Sequence, residues 1–299
     1  MELNRKNTLL IILSFFAIYV IWGSTYLLNK IAVSEISPMI LSATRFIIAG
    51  LLIFSIAKFL KLSLAITKKQ FLNSTLAGFL FLAYGNGVFV WSLKFVDSGF
   101  AALEASTQPL VVLLMMRLIY KKKIQRMSLI GVALGIIGIY LLVSQQDLNT
   151  GEDSLLGIIM IFTCVVSWSA ASLFVAKADL HKNFFVNSGY QMLTGGAILF
   201  VLSLLLGEQW VSPLALSGKV QLSMFLLIVF GSIVAFTAFN YLLKVVSTEK
   251  VATSSFVNPV IALLLGWYIL DEHLTVQSIV AAAILLTGVY FINSKRNLR

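Results

Sequence analysis

Two amide–proline pairs, Gln108-Pro109 and Asn258-Pro259, lie 150 residues apart, each inside an apolar run (STQPLVVLLMMR from 106, SFVNPVIALLLGW from 255). Proline removes a backbone donor and frees a carbonyl one turn earlier, and an amide in apolar surroundings needs a partner. Together they make a polar contact point that hydrocarbon tolerates only under protein or beside a wet cavity. On one reading the pairs face a central cavity from opposite sides and touch a solute there. On the other, the prolines kink helices for packing and the amides bond neighbouring helices. Their matched depth in the two runs favours the cavity.

Glu104 stands one turn before Gln108 on the expected helical face, and Arg45 lies at a similar depth. Each charge costs about 2.5–3.5 kcal/mol inside a bilayer on insertion scales, so such groups pair or work. Glu104 is either a proton carrier or one half of a permanent structural ion pair with Arg45. Further polar and aromatic candidates are Trp22 with Tyr26, Trp168 with Ser172, Tyr84, Asn86, Gly87 and Trp91, and Thr237, Asn240, Tyr241 and Lys244. Aromatic rings with a polar tip can wall a pocket for an amphipathic metabolite. The same residue types also form interfacial belts, the better reading for Tyr140, Tyr290 and Trp210. Asn86 sits between Gly85 and Gly87, which permit close helix approach or local unwinding, and Gly131-x-x-x-Gly135 reads as a packing face.

These residues are carried by a chain of 299 residues that is 59% hydrophobic and 11% charged. A soluble domain carries about a quarter charged residues, and a mean hydropathy of +0.96 makes lipid the solvent for most side chains. One cysteine, Cys164, excludes an intramolecular disulfide. Ten apolar runs are predicted to span a membrane: 8–28, 39–60, 72–93, 98–119, 127–144, 155–175, 184–206, 221–243, 250–270 and 275–293. The first run does not read as a signal peptide. With both termini in the cytoplasm, 18 of the 22 basic residues fall inside and Lys30, Lys94 and Lys219 outside, with Arg45 within a helix. The net charge of +10 is thus a topology signal and does not point to nucleic acid.

The sequence also repeats. A shift of 150 brings Lys94 onto Lys244, Ala102 onto Ala252 and Pro109 onto Pro259, while a shift of 146 brings Trp22 onto Trp168 and Gly50 onto Gly196. The predicted fold is an all-α integral membrane protein of ten transmembrane helices in two inverted five-helix repeats, 1–146 and 147–299. An odd span number turns the second copy over, as in secondary transporters with a midplane site.

WGSTYLLNKIAVSEISPMILSATRFIIAG from 22, AYGNG from 83, FVNPVIALLLGW from 256 and DEHLTVQSIVAAAILLTGVYFI from 271 resemble the EamA-type members of the drug/metabolite transporter superfamily. The resemblance covers essentially the whole chain, with Lys30, Pro38, Arg45 and Glu272 at the family's spacing; Lys122 departs from it, standing where the first repeat's counterpart of Glu272 falls. It implies an inverted-repeat carrier of small metabolites, commonly an exporter of amino acids or related compounds, and proton coupling.

The expected function is therefore secondary active export by alternating access in a bacterial plasma membrane, with no cofactor or metal, by a monomer or homodimer. Its candidate solute contacts are Gln108, Asn258, Asn86, Trp22, Trp168 and Asn240; Glu104 and Arg45 are the coupling or structural pair. A lipid flippase is the alternative. An enzyme is disfavoured, because His181 and His273 fall on opposite sides and no HExxH, GxSxG or Walker loop occurs. A channel would need a continuous polar path, whereas the polar residues cluster centrally.

Overall fold

The structure, a computed structural model, describes residues 5–92, 95, 104–121, 123–144, 154–270 and 275–293. Lys94, Ala102, Lys122, Glu272, His273, Lys295, Arg296 and Arg299 lie outside the described residues. All regular structure within them is helical. Helix α1 runs through Arg5–Phe16, a π-helical turn Ala17–Ile21 and Trp22–Ala32; α2 is Pro38–Phe59. Helix α3 joins Lys68–Gly78, a π stretch Phe79–Val88 and Phe89–Ser92. Then follow α4 (Gln108–Tyr120), α5 (Arg126–Val143), α6 (Ser154–Lys177) and α7 (Phe184–Leu205). Helix α8 joins Gly218–Leu226, a π stretch Leu227–Phe236 and Thr237–Val245; α9 is Thr248–Val251, α10 Ser254–Leu270 and α11 Val276–Asn293. Among the described residues seven helices (α1, α2, α3, α6, α7, α8 and α11) are long and apolar enough to cross a membrane, and Gln108–Tyr120 and Arg126–Leu141 are shorter apolar helices.

Helix starts follow local chemistry. Thr67 and Gln70 form a reciprocal capping box at the head of α3, with Thr67 Oγ1 accepting from Gln70 N at 3.1 Å and Gln70 Oε1 from Thr67 N at 3.3 Å. Pro38 opens α2, where its missing N–H costs nothing, and Glu208 reaches across to accept from Met39 N (3.1 Å) and Ile40 N (2.8 Å). At α7 the equivalent amides, Phe185 N and Val186 N, are taken by the helix's own cap, Asn183 Oδ1, at 2.9 and 3.3 Å.

The prolines at 109 and 259 are not used alike. Pro109 occupies the first turn of α4, behind a turn at residues 106–107, so the frame expected to run unbroken from Glu104 to Gln108 is interrupted. Pro259 lies inside α10.

Helices α2 and α7 pack antiparallel. A Cβ on Gly50 would stand 2.7 Å from Leu193 Cγ, one on Gly196 2.8 Å from Ile47 Cγ1, and one on Gly189 2.6 Å from Phe54 Cε1. Helices α5 and α11 cross in the same sense and closer, with Gly131 against Gly288 and Gly138 against Ala281 and Leu285. At one end of the bundle Glu35 Oε2 accepts from Ser217 N at 2.8 Å, close to the Glu208 cap. At the other, Gln70 and Asn73 donate to Asp179, and Lys244 Nζ donates to Ala178 O at 2.7 Å.

Candidate functional site

Three helices lose ordinary α geometry, at Ala17–Ile21, Phe79–Val88 and Leu227–Phe236. π-helical turns in α-helices recur at functional sites, since they shift the register of side chains and leave backbone groups less well paired. All three stretches border one aromatic cluster. Trp22, just after the first, meets Trp168 edge-on at 5.9 Å between centroids and Phe239 at 5.0 Å. Phe81, in the second, meets Trp168 at 5.0 Å and Phe236, in the third, at 5.8 Å. Trp22 also donates from Nε1 to Gly231 O at 3.1 Å, inside the third stretch. Two of the expected wall residues, Trp22 and Trp168, are thus brought together, joined by Phe81, Phe236 and Phe239, which the sequence did not single out.

Next to Gly231 lies Ser232, whose Oγ accepts from Arg45 Nε at 2.8 Å. Arg45 is 5% exposed and lies 5.0 Å from the Phe46 ring centroid. A Cβ on Gly231 would come within 3.1 Å of Arg45 Nη2, so glycine there leaves room for the guanidinium. Ser42, one turn before Arg45 on α2, donates to Asn86 Oδ1 at 3.3 Å, in the second π stretch and between its two glycines. Trp22, Trp168, Asn86 and Arg45 therefore line adjoining parts of one region.

Gln108 and Asn258 form a second group. Gln108 Oε1 accepts from Ser255 Oγ at 2.6 Å. The carbonyl that Pro259 frees, Ser255 O, accepts from Ser106 Oγ at 2.9 Å. Three carbonyl oxygens surround the outer end of the Asn258 amide, which fixes its orientation: Nδ2 donates to Ile18 O (3.0 Å), Tyr19 O (3.0 Å) and Ser254 O (3.1 Å). Tyr19 Oη and Thr253 Oγ1 share a further 2.7 Å bond. Both amides are buried, at 8% and 6% exposure, and in this conformation each is bonded to protein. They clasp α1, α4 and α10 at the first π turn.

Asn240 points elsewhere. It exchanges two bonds with Gln191 (3.2 and 3.1 Å) and donates to Ser188 Oγ and Phe236 O, a buried amide network holding α8 to α7. Tyr84 Oη donates to Thr163 at 3.1 Å on α6. Tyr140, Tyr290 and Trp210 are exposed, at 63%, 69% and 50%.

Glu104 and Arg45 are not paired. Glu104 Oε2 is buried without a hydrogen-bond partner among the described residues, while Arg45 turns to Ser232. The turn at 106–107 explains this, since it swings Glu104 off the Gln108 face. Its side chain lines a groove of about 430 Å³ between α4 and α6, with Leu110, Val111, Leu114, Leu118 and Phe162.

Apolar helices around a bonded polar and aromatic centre define an integral membrane protein organised about an interior contact region. The sequence matches the EamA-like transporter family twice, over residues 9–144 and 155–294, and the chain belongs to that family: it is a membrane transporter. It is 33% identical to the inner membrane transporter YedA of Escherichia coli, across 93% of this chain and 88% of that one. It is 25% identical to a probable amino-acid metabolite efflux pump of Escherichia coli, with 96% and 95% covered. A solved crystal structure at 19% identity superposes with a TM-score of 0.78 over 94% of this chain and 95% of that one, so the two share a fold.

Proposed function

We propose that the chain is a secondary active exporter of small metabolites, amino acids or related compounds, working by alternating access across a bacterial inner membrane. The carrying observation is the convergence of three π-helical stretches on the Trp22–Trp168 cluster. The architecture we infer is ten spans in two inverted five-helix repeats, 1–146 and 147–299, with both termini cytoplasmic. The double family match supports the duplication. So do the antiparallel crossings of α2 with α7 and α5 with α11, whose boundaries recur at shifts of 146 and 150. Lys58, Lys61, Lys68, Lys69, Lys177, Lys182 and Lys244 neighbour the Asp179 end, and that end is the cytoplasmic one.

Trp22, Trp168 and Asn86 wall the solute site. Gln108 and Asn258 close the clasp beside it in this state and meet the solute when the halves rock apart. Asn240 holds the second half together. Glu104, at the groove with its Oε2 unpartnered among the described residues, carries the coupling proton. The test is mass spectrometry of the medium from overexpressing cells, with Gln108→Ala/Asn258→Ala and Trp168→Ala as controls at equal membrane abundance. Enrichment of one compound class with wild type alone is the expected result; unchanged export by the variants refutes the site. Glu104→Gln is expected to remove the dependence of transport on a pH gradient. A second reading, lipid translocation, draws on the apolar groove ending at Glu104; fluorescent-lipid flipping in proteoliposomes decides it.

A further inference from the structure

We infer that Arg45 is the anion anchor of the transport site, and that the transported solute therefore carries a carboxylate set against an apolar or aromatic body. This rests on the carrier reading above and names its substrate class. An arginine side chain has five N–H donors and no acceptor. Nε is taken by Ser232 Oγ at 2.8 Å, and the two Nη groups have no protein acceptor among the described residues. The carboxylate closest to hand by sequence depth, Glu104, is turned toward a different groove. An arginine 5% exposed, on a membrane helix, without a counter-charge among the described residues, is an incomplete site. The two Nη groups form a planar fork that matches a carboxylate.

The second half of the chain shows that the packing does not require this charge. Gln191 stands 146 residues after Arg45, as Ser188 does after Ser42. In that copy the position is neutral, 0% exposed, and fully engaged with Asn240, to which Ser188 is bonded as well. Ser42 in turn bonds Asn86. The same frame is thus closed by amides in one copy and left open by a cation in the other. What adjoins the cation is also informative: Gly231 follows the guanidinium on one side and accepts from Trp22 Nε1 on the other. A solute held by its carboxylate at Arg45 therefore extends its apolar part toward Trp22, Trp168 and Phe239.

The test uses the full-length chain in nanodiscs, titrated with matched sets: the free acid, the primary amide and the decarboxylated amine of leucine and of phenylalanine, together with benzoate. Thermal unfolding and competition binding are read. We expect the acids to raise the unfolding temperature and the amides and amines to leave it unchanged. Arg45→Gln weakens acid binding about 30-fold or more, as truncating one partner of a buried charge pair does, and Arg45→Lys recovers part of it. Ser232→Ala keeps the charge but frees Nε, and weakens acid binding several-fold. If Arg45→Gln does not fold, the acid-versus-amide comparison on wild type still decides. Equal binding of acid and amide, preference for the amine, no response to any acid, or full acid binding by Arg45→Gln overturns the inference. Proteoliposome flux separates it from the carrier reading: a solute without a carboxylate that passes equally through wild type and Arg45→Gln leaves the carrier standing and removes the anchor.

Discussion

Replacing Asn258 probes the clasp at the first π turn. Its Nδ2 carries two hydrogens shared among Ile18 O, Tyr19 O and Ser254 O at 3.0, 3.0 and 3.1 Å. Interhelical bonds in membrane proteins average about 0.6 kcal/mol and reach about 1.7 kcal/mol, so losing two donors in Asn258→Ala costs about 1–3 kcal/mol. Asn258→Asp keeps the shape but, when ionised, offers only acceptors to three acceptors; it loses both donors and adds repulsion, so it must cost more than alanine. The order wild type, alanine, aspartate is expected in thermal unfolding of detergent-purified protein, with tryptophan fluorescence as readout. Because two of the three carbonyls belong to α1, cross-linking between α1 and α10 falls in the same order. Aspartate equal to wild type, or better than alanine, refutes the donor role assigned to this amide and the clasp with it.

Three further expectations concern the scaffold. Glu208→Ala uncaps α2 and costs about 0.5–2 kcal/mol in thermal unfolding, whereas the same change at exposed Gln209 has no effect. Gly288→Ala would put a Cβ 2.7 Å from the Gly131 carbonyl oxygen; overpacking of about 1–3 kcal/mol exceeds the roughly 1 kcal/mol gain in helix propensity, so the melting temperature falls. The Ser217 side-chain and backbone bonds hold the Glu35 carboxyl below its usual range. The contribution of Glu35 is therefore full above the ordinary carboxylate range and lost as pH falls through the lowered value, and the difference in melting temperature between wild type and Glu35→Ala should vanish in acid.

The helical membrane class was legible because hydropathy and charge alternation depend on every residue of a span and survive local irregularity. The aromatic pair Trp22 and Trp168 was legible because the repeat at 146 singles it out. What the sequence could not show is where an α-helix widens. The π stretches at 79–88 and 227–236 carry no breaker pattern, beyond the glycines flanking Asn86 and the single Gly231, so nothing in the sequence marks Phe81, Phe236 and Ser232. Partner choice was equally hidden. The predicted spans put Glu104 and Arg45 at a similar depth, but depth says nothing of azimuth, and the turn at 106–107 sets the acid facing α6. Asn240 fell into the polar stripe by spacing, while its partner Gln191 sits on another helix.

The crossing of α2 and α7 has a consequence for how such a chain can vary. Gly50 meets Leu193 while Gly196 meets Ile47, so residues at corresponding positions exchange places across the contact and the joint is isologous within one polypeptide. In a two-fold dimer any change in such a patch appears twice and must suit its own mirror. In one chain that constraint does not hold: each substitution acts once, and the joint can stay self-matching at its glycines while neighbouring positions on the same two helices differ. Arg45 and Gln191, 146 residues apart on these helices, differ in this way, a single-sided charge that a symmetric pair of identical subunits could not carry alone.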